Sequence, residues 1–201
     1  MKKLFGIFGI IAFLGLSAFT TVNRGYKPGD VATDFKLENV DGAMVSLSDY
    51  KDAKGFIVIF TANTCPYAIA YEDRIIELNN KFKAKGYPVV AIMPNNPGLQ
   101  SGDSMENMKK RAHSKEFAFP YLMDKGQKIS PQYGATKTPE VYVLQKSDKG
   151  NVVRYVGAID DNYQDAAAVK TKYVEDAVTA LLSGQPVKNA QTRAIGCAIR
   201  L

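Results

Sequence analysis

The chain has 201 residues, 46% apolar and 23% charged, which suffices for one packed domain and excludes a disordered tether. Its formal charge of +6 is mild and scattered, so no basic face for nucleic acid is expected. Two cysteines and the single histidine, His113, give no metal-ligand set, and no metal site and no cofactor are expected.

Met1 to Thr21 has the grammar of an export signal: Lys2 and Lys3, an apolar run from Leu4 to Leu16, then small and polar residues. The run is shorter than the ~20 residues of a spanning helix. No clean Ala-x-Ala cleavage site follows, so residues 1–22 read as a signal peptide or, alternatively, an N-terminal membrane anchor. Either way the remainder is expected in an extracytoplasmic compartment, periplasmic or secreted, where disulfides persist.

Asn23 to Thr33 carries Gly25, Pro28, Gly29 and Asp30 and reads as an extended approach. Asp34–Leu37 and Met44–Leu47 alternate apolar and polar residues around Asp41-Gly42, the chemistry of a β-hairpin turn. Phe56 to Phe60 is unbroken apolar chain, as in a strand covered on both faces. The turn Thr61-Ala62-Asn63-Thr64 then delivers Cys65 to a helix predicted over residues 66–85, with Pro66 in its first turn. Ile69, Ile75, Ile76 and Phe82 are expected on its buried face. A thiol at that end feels the positive pole of the helix, which favours thiolate and lowers the pKa from about 8.5. A buried packing cysteine is the plain alternative.

Tyr87 to Met93 is a second buried strand, making a right-handed βαβ unit. A Pro/Gly/Asn loop, Asn95 to Ser101, leads to Asp103 as the expected N-cap of a charged helix through Ser114, with Glu106 three residues on. Met105 and Met108 are expected as core fillers of that helix and His113 as a solvated residue. Phe119 to Met123 reads as a short edge strand, and Gly126 to Tyr133 as one or two helical turns. Thr138 to Leu144 and Val152 to Val156 form an antiparallel pair, and a last helix is expected from Tyr163 to Leu182. The tail from Gln185 carries Cys197.

This order resembles the thioredoxin fold, an α/β architecture with a central mixed sheet flanked by helices, here with an N-terminal β-hairpin extension and a C-terminal tail. Lys27 to Leu37, Ser46 to Tyr50, Cys65-Pro66-Tyr67, Phe119 to Asp124, Tyr133 to Val141 and Gly196 to Ile199 are similar to the peroxiredoxin-like, AhpC/TSA-related redoxin proteins. The resemblance implies one thioredoxin-like domain over residues 26–184 and a tail over 185–201. It also implies a cis peptide at Thr138-Pro139 facing Cys65, where the Thr138 backbone can pair with an extended chain. The pattern departs from its relatives at the site. Ala68 replaces the second cysteine of Cys-x-x-Cys, and Ala62 stands where some relatives carry a cysteine and true peroxiredoxins a threonine. Their arginine near the Thr138-Pro139 strand is absent as well.

Cys65 therefore lacks a local partner, and Cys197 is the other cysteine of the chain. It reads either as a resolving cysteine or as half of a structural staple; Cα atoms within about 7 Å would permit a bridge. Asn63, Tyr67 and Glu72 are candidates to polarise or shield the thiol, with Tyr67 equally a lid on the first turn, and Thr64 and Pro66 are supporting residues. Arg193 and Arg200 flank Cys197 as tail charges. Three functions fit: an exported thiol–disulfide oxidoreductase acting on protein or small-molecule disulfides and recharged by a thiol reductant, a two-cysteine peroxide reductase, or a binding module whose cysteines staple the tail.

Overall fold

The computed structural model describes residues 25–201, so the expected leader lies outside the described residues. Its strands are β1 Val31–Ala32, β2 Lys36–Asn39, β3 Met44–Ser46, β4 Gly55–Phe60, β5 Val89–Met93, β6 Tyr121–Met123, β7 Lys137–Thr138, β8 Glu140–Ser147, β9 Gly150–Gly157 and β10 Cys197–Ala198. The helices are α1 Pro66–Phe82, α2 Met105–Ser114, α3 Ile129–Tyr133 and α4 Tyr173–Leu182. Eight strands form a mixed sheet in the order β1-β9-β8-β4-β5-β6-β2-β3, while β7 and β10 pair separately. β4, β5 and β6 run parallel and β8 and β9 antiparallel to their neighbours, the thioredoxin arrangement with an added hairpin.

All six residues of β4 are buried, as its unbroken apolar sequence requires. Period-2 alternation divides them between two cores. Ile57 and Ile59 face Ala68, Tyr71, Ile75, Leu78 and Phe82 of α1, Met108 of α2 and Val174 and Val178 of α4. Phe56, Val58 and Phe60 face Phe35, Leu37, Leu47, Tyr133 and Tyr142. Val89, Ala91 and Met93 of β5 belong to the first core, and Val90 and Ile92 to the second. The sheet is covered on both sides, which fixes the end of β4 where Cys65 begins.

Four sequence expectations are corrected here. Ile69 is 40% exposed: the buried stripe of α1 runs through Ala68, Tyr71 and Glu72, and Ile69 falls outside its edge. Ser104, whose hydroxyl accepts from the Asn107 N–H, caps α2 in place of Asp103, which is fully buried. β6 is interior, paired with β5 on one side and β2 on the other. The last helix starts at Tyr173, ten residues late. Upstream, Asn162 accepts the N–H groups of Gln164 and Asp165, and Asp161 those of Lys170 and Thr171, local bonds that compete with helix formation. Met108 is buried and Met105 packs against the core as expected. His113, Arg193 and Arg200 are exposed.

Candidate active site

β4 ends at Phe60, and Thr61 continues the line by donating its N–H to the Ile92 carbonyl at 2.9 Å. Cys65 is the N-cap of the 17-residue α1, and Pro66 occupies the first turn, where a missing N–H costs nothing. The thiol carbon chain is therefore held at the positive end of a long helix, with 3% of Cys65 exposed.

The turn itself is braced by a loop 39 residues downstream. The buried carboxylate of Asp103 accepts from the Thr64 N–H at 3.1 Å, the Thr64 hydroxyl at 3.0 Å and the Asn95 amide at 2.6 Å. Asn63 donates to the Gly102 carbonyl at 3.1 Å and accepts from the Tyr121 hydroxyl at 3.0 Å. Burial, with Asp103 and Glu72 near, pushes the Tyr121 phenol well above its ordinary value, so it stays a donor. Asn63 and Thr64 thus bond to the bracing loop and set the turn's shape. Glu72 is engaged elsewhere too, in a two-pronged pair with Arg111 at 2.6 and 3.0 Å, with Lys115 3.5 Å away. The Tyr67 ring packs on Tyr163 at 4.5 Å between centroids, which makes it a lid on the helix start.

Thr138-Pro139 is cis, and Thr138 is fully buried against the cysteine. Its carbonyl oxygen lies 3.0 Å from Cys65 Sγ. A disulfide sulfur has no proton to give, so this is a close contact without a hydrogen bond. Among the described residues the Thr138 hydroxyl has no hydrogen-bond partner. Glu140, next along, accepts the N–H groups of Thr136 and Lys137 at 2.8 and 3.1 Å and shapes this corner.

The tail reaches the site. Cys65 and Cys197 form a disulfide with Cα atoms 5.9 Å apart across 132 positions of sequence. β10 lies antiparallel to β7, Cys197 opposite Thr138 and Ala198 opposite Lys137. Gly196 is needed for the approach, because a Cβ there would stand 2.2 Å from the Thr138 carbonyl oxygen. Farther back, Thr192 bonds to the Tyr155 hydroxyl at 2.6 Å and to the Ala158 N–H at 3.0 Å, pinning the tail along β9. A cleft of about 220 Å³ opens beside Pro139, walled by Tyr71, Tyr163, Arg193 and Ile195.

Residues 28–163 match the AhpC/TSA family. The chain belongs to that family. It is 30% identical to the chloroplastic peroxiredoxin Q of Sedum lineare over 147 residues, which cover 70% of this chain and 71% of the relative. It is 27% identical to the thiol-disulfide oxidoreductase ResA of Bacillus thuringiensis over 141 residues, covering 70% and 77%. The crystal structure of an uncharacterized conserved protein from Geobacillus kaustophilus superposes with a TM-score of 0.79 at 34% identity, covering 87% of this chain and 92% of that one. This AhpC/TSA chain is an oxidoreductase with its two cysteines at disulfide distance.

The site thus unites Cys65, Pro66, Thr138, Pro139 and Cys197, with Tyr67 at its rim and Asn63 and Thr64 beneath. Asp103 and Asn95 were missed as site residues from sequence, because Asp103 three before Glu106 also reads as a helix cap and only the packed fold brings it under Thr64. Among the described residues no group of three His, Cys, Asp or Glu is placed to hold a metal, and no helix is long and apolar enough to cross a membrane.

Proposed function

We propose that the protein is a thiol–disulfide oxidoreductase in which Cys65 is the nucleophile and Cys197 the resolving cysteine. The observation that carries this reading is the Cys65–Cys197 disulfide, which joins the helix-capping cysteine to a surface tail. In the reduced protein, Cys65 as thiolate attacks one sulfur of a substrate disulfide. A Cys65–substrate bond forms, the substrate bond breaks, and the departing thiolate takes a proton. Cys197, deprotonated, then attacks Cys65 Sγ, closes the internal disulfide and expels the second substrate thiol. Two electrons pass from the cysteine pair to the substrate. To reset the pair, the thiolate of an external dithiol reductant attacks Cys197, the more exposed of the two residues, and Cys65 leaves as a thiolate favoured by the helix terminus. The reductant's second thiol then frees Cys197. Pro66 and Tyr67 shape the approach to the sulfur, and Thr138-Pro139 offers the docking edge.

The peroxiredoxin Q relative supports a second reading, peroxide reduction, with Cys65 oxidised to sulfenic acid and Cys197 condensing with it to release water. Ala62 weighs against it, since the threonine that orients peroxide is absent. The apolar run at Leu4–Leu16, together with an internal disulfide, supports action outside the cytoplasm.

Stopped-flow oxidation of the reduced protein separates the readings. Glutathione disulfide should form a mixed disulfide at Cys65 that closes onto Cys197, and in Cys197→Ser the mixed disulfide should accumulate. Rapid sulfenate formation with peroxide, and slow reaction with the disulfide, would select peroxide reduction. A Cys65 thiol with a pKa above about 8.5 and neither reaction would sink both.

A further inference from the structure

Residues 196–200 lie extended between two loops, and both loops bond to them. On one side β10 pairs with β7, and the Ile199 N–H donates to the Thr136 carbonyl at 3.1 Å. On the other, the Arg200 N–H donates to Asn95 Oδ1 at 2.9 Å, and the Asn96 N–H donates to the Arg200 carbonyl at 2.7 Å. Asn95 is 5% exposed, and its amide is tied to Asp103, so its oxygen is fixed toward the tail. The second contact therefore reads both polar groups of the residue three places after the cysteine.

These bonds use backbone groups of the tail and none of its side chains. The Ile199 side chain also packs against the second core, so the groove accepts an extended strand that fits sterically and offers an apolar residue two places after the cysteine. The steric condition falls at residue 196, where a Cβ would collide with the Thr138 carbonyl.

We propose that this is a two-ended groove for an extended Gly-Cys segment of a partner protein, and that the chain's own tail fills it while the disulfide is closed. The proposal rests on the disulfide-exchange reading and adds its substrate class: a cysteine in extended polypeptide, held at β7 and again three residues on by Asn95 and Asn96. Backbone hydrogen bonds contribute little more than the ordering of the residues that make them costs. The covalent bond thus decides occupancy. Oxidised, the groove is full; reduced, tail and partner segment compete for it.

The test uses the full chain carrying Gly196→Val and Cys197→Ser, in which the tail no longer fits. It is titrated with a synthetic octapeptide of residues 194–201 bearing serine for cysteine, followed by amide NMR. Signals of Thr136–Thr138 and Asn95–Asn96 should shift together along one binding curve, and Asn95→Ala should weaken binding about 5- to 10-fold. A peptide with valine at the glycine position should not bind. In the unmodified protein, reduction alone should speed hydrogen exchange at Ile199 and Arg200. Shifts confined to Thr136–Thr138, no shifts at all, or equal binding of the valine peptide would overturn the proposal. The peptide carries no sulfur, so its binding is independent of whether Cys65 exchanges disulfides, and failure of either idea is seen separately.

Discussion

Cys65 and Cys197 share one bond and sit in opposite surroundings. Cys65 is 3% exposed between a strand buried at all six positions and a 17-residue helix, over a turn held by three hydrogen bonds to Asn63 and Thr64 from the Gly102–Asp103 loop. Cys197 belongs to a two-residue strand in a tail of exposed and half-buried residues. The contrast suits exchange chemistry, in which one sulfur must stay fixed relative to the docking edge while the other leaves and returns. It also says which contacts can be lost cheaply. Order at Cys65 comes from the core, whereas order at Cys197 comes from one covalent bond, a few hydrogen bonds and partial packing of Cys197 and Ile199 against the two cores.

Reduction should break the comparison most strongly. Cross-linking positions 132 apart removes about 4–5 kcal/mol of unfolded-chain entropy in the loop-closure model. Melting of the reduced protein should therefore fall by roughly 10 °C. Amide exchange should speed in residues 185–201 and stay slow in β4, β5 and α1. Fast exchange in β4 after reduction would show that the disulfide holds the domain together, contrary to the division drawn between the two cysteines.

Asp103→Ala attacks the rigid side alone. It leaves the Thr64 N–H, the Thr64 hydroxyl and the Asn95 amide without their acceptor in a buried place. One orphaned buried donor costs about 1–3 kcal/mol, so a loss of ~3 kcal/mol in chemical denaturation is expected, with Asp103→Asn milder because one oxygen remains. Because Asn95 also accepts from the Arg200 N–H, the tail amide at Arg200 should lose protection as well. A loss under 1 kcal/mol would mean that water replaces the carboxylate and that the turn is braced by other contacts.

What could be read from sequence, and what could not, follows the same division. Local pattern located β4, the helix mouth at Cys65-Pro66, the hairpin at Asp41-Gly42 and the Thr138-Pro139 corner, since each depends on neighbouring residues. Asp103 reads as a cap because an acidic residue three before Glu106 satisfies the cap rule, while Thr64, which gives it two hydrogen bonds, is 39 residues away. Ile69 reads as core because apolar residues are expected there, yet Glu72 is buried instead, its charge paired with Arg111. The Asn95–Arg200 contact joins residues 105 apart, and nothing in either neighbourhood announces it. The last helix began late because asparagine and aspartate side chains captured the local N–H groups, a choice of hydrogen-bond partner that periodicity does not register.

Glu140 sharpens the comparison most finely, since it shapes the docking corner that both cysteines share. Burial is the largest influence on its carboxyl and raises its pKa, opposed by the N–H groups of Thr136 and Lys137 and by the Lys137 charge. A carboxyl whose folded pKa exceeds its unfolded value binds its proton more tightly in the fold. Its contribution is then fully present below the unfolded pKa and is lost as pH rises through the folded one, the reverse of an ion-paired carboxylate. Glu140→Gln keeps an oxygen for the two N–H groups and removes the titration. Urea midpoints measured from pH 4 to pH 7 should show wild type losing stability relative to Glu140→Gln as pH rises through the carboxyl's range. If the difference is flat, or runs the other way, the two N–H bonds outweigh burial, and the corner beside Cys65 carries a full negative charge that would oppose thiolate formation there.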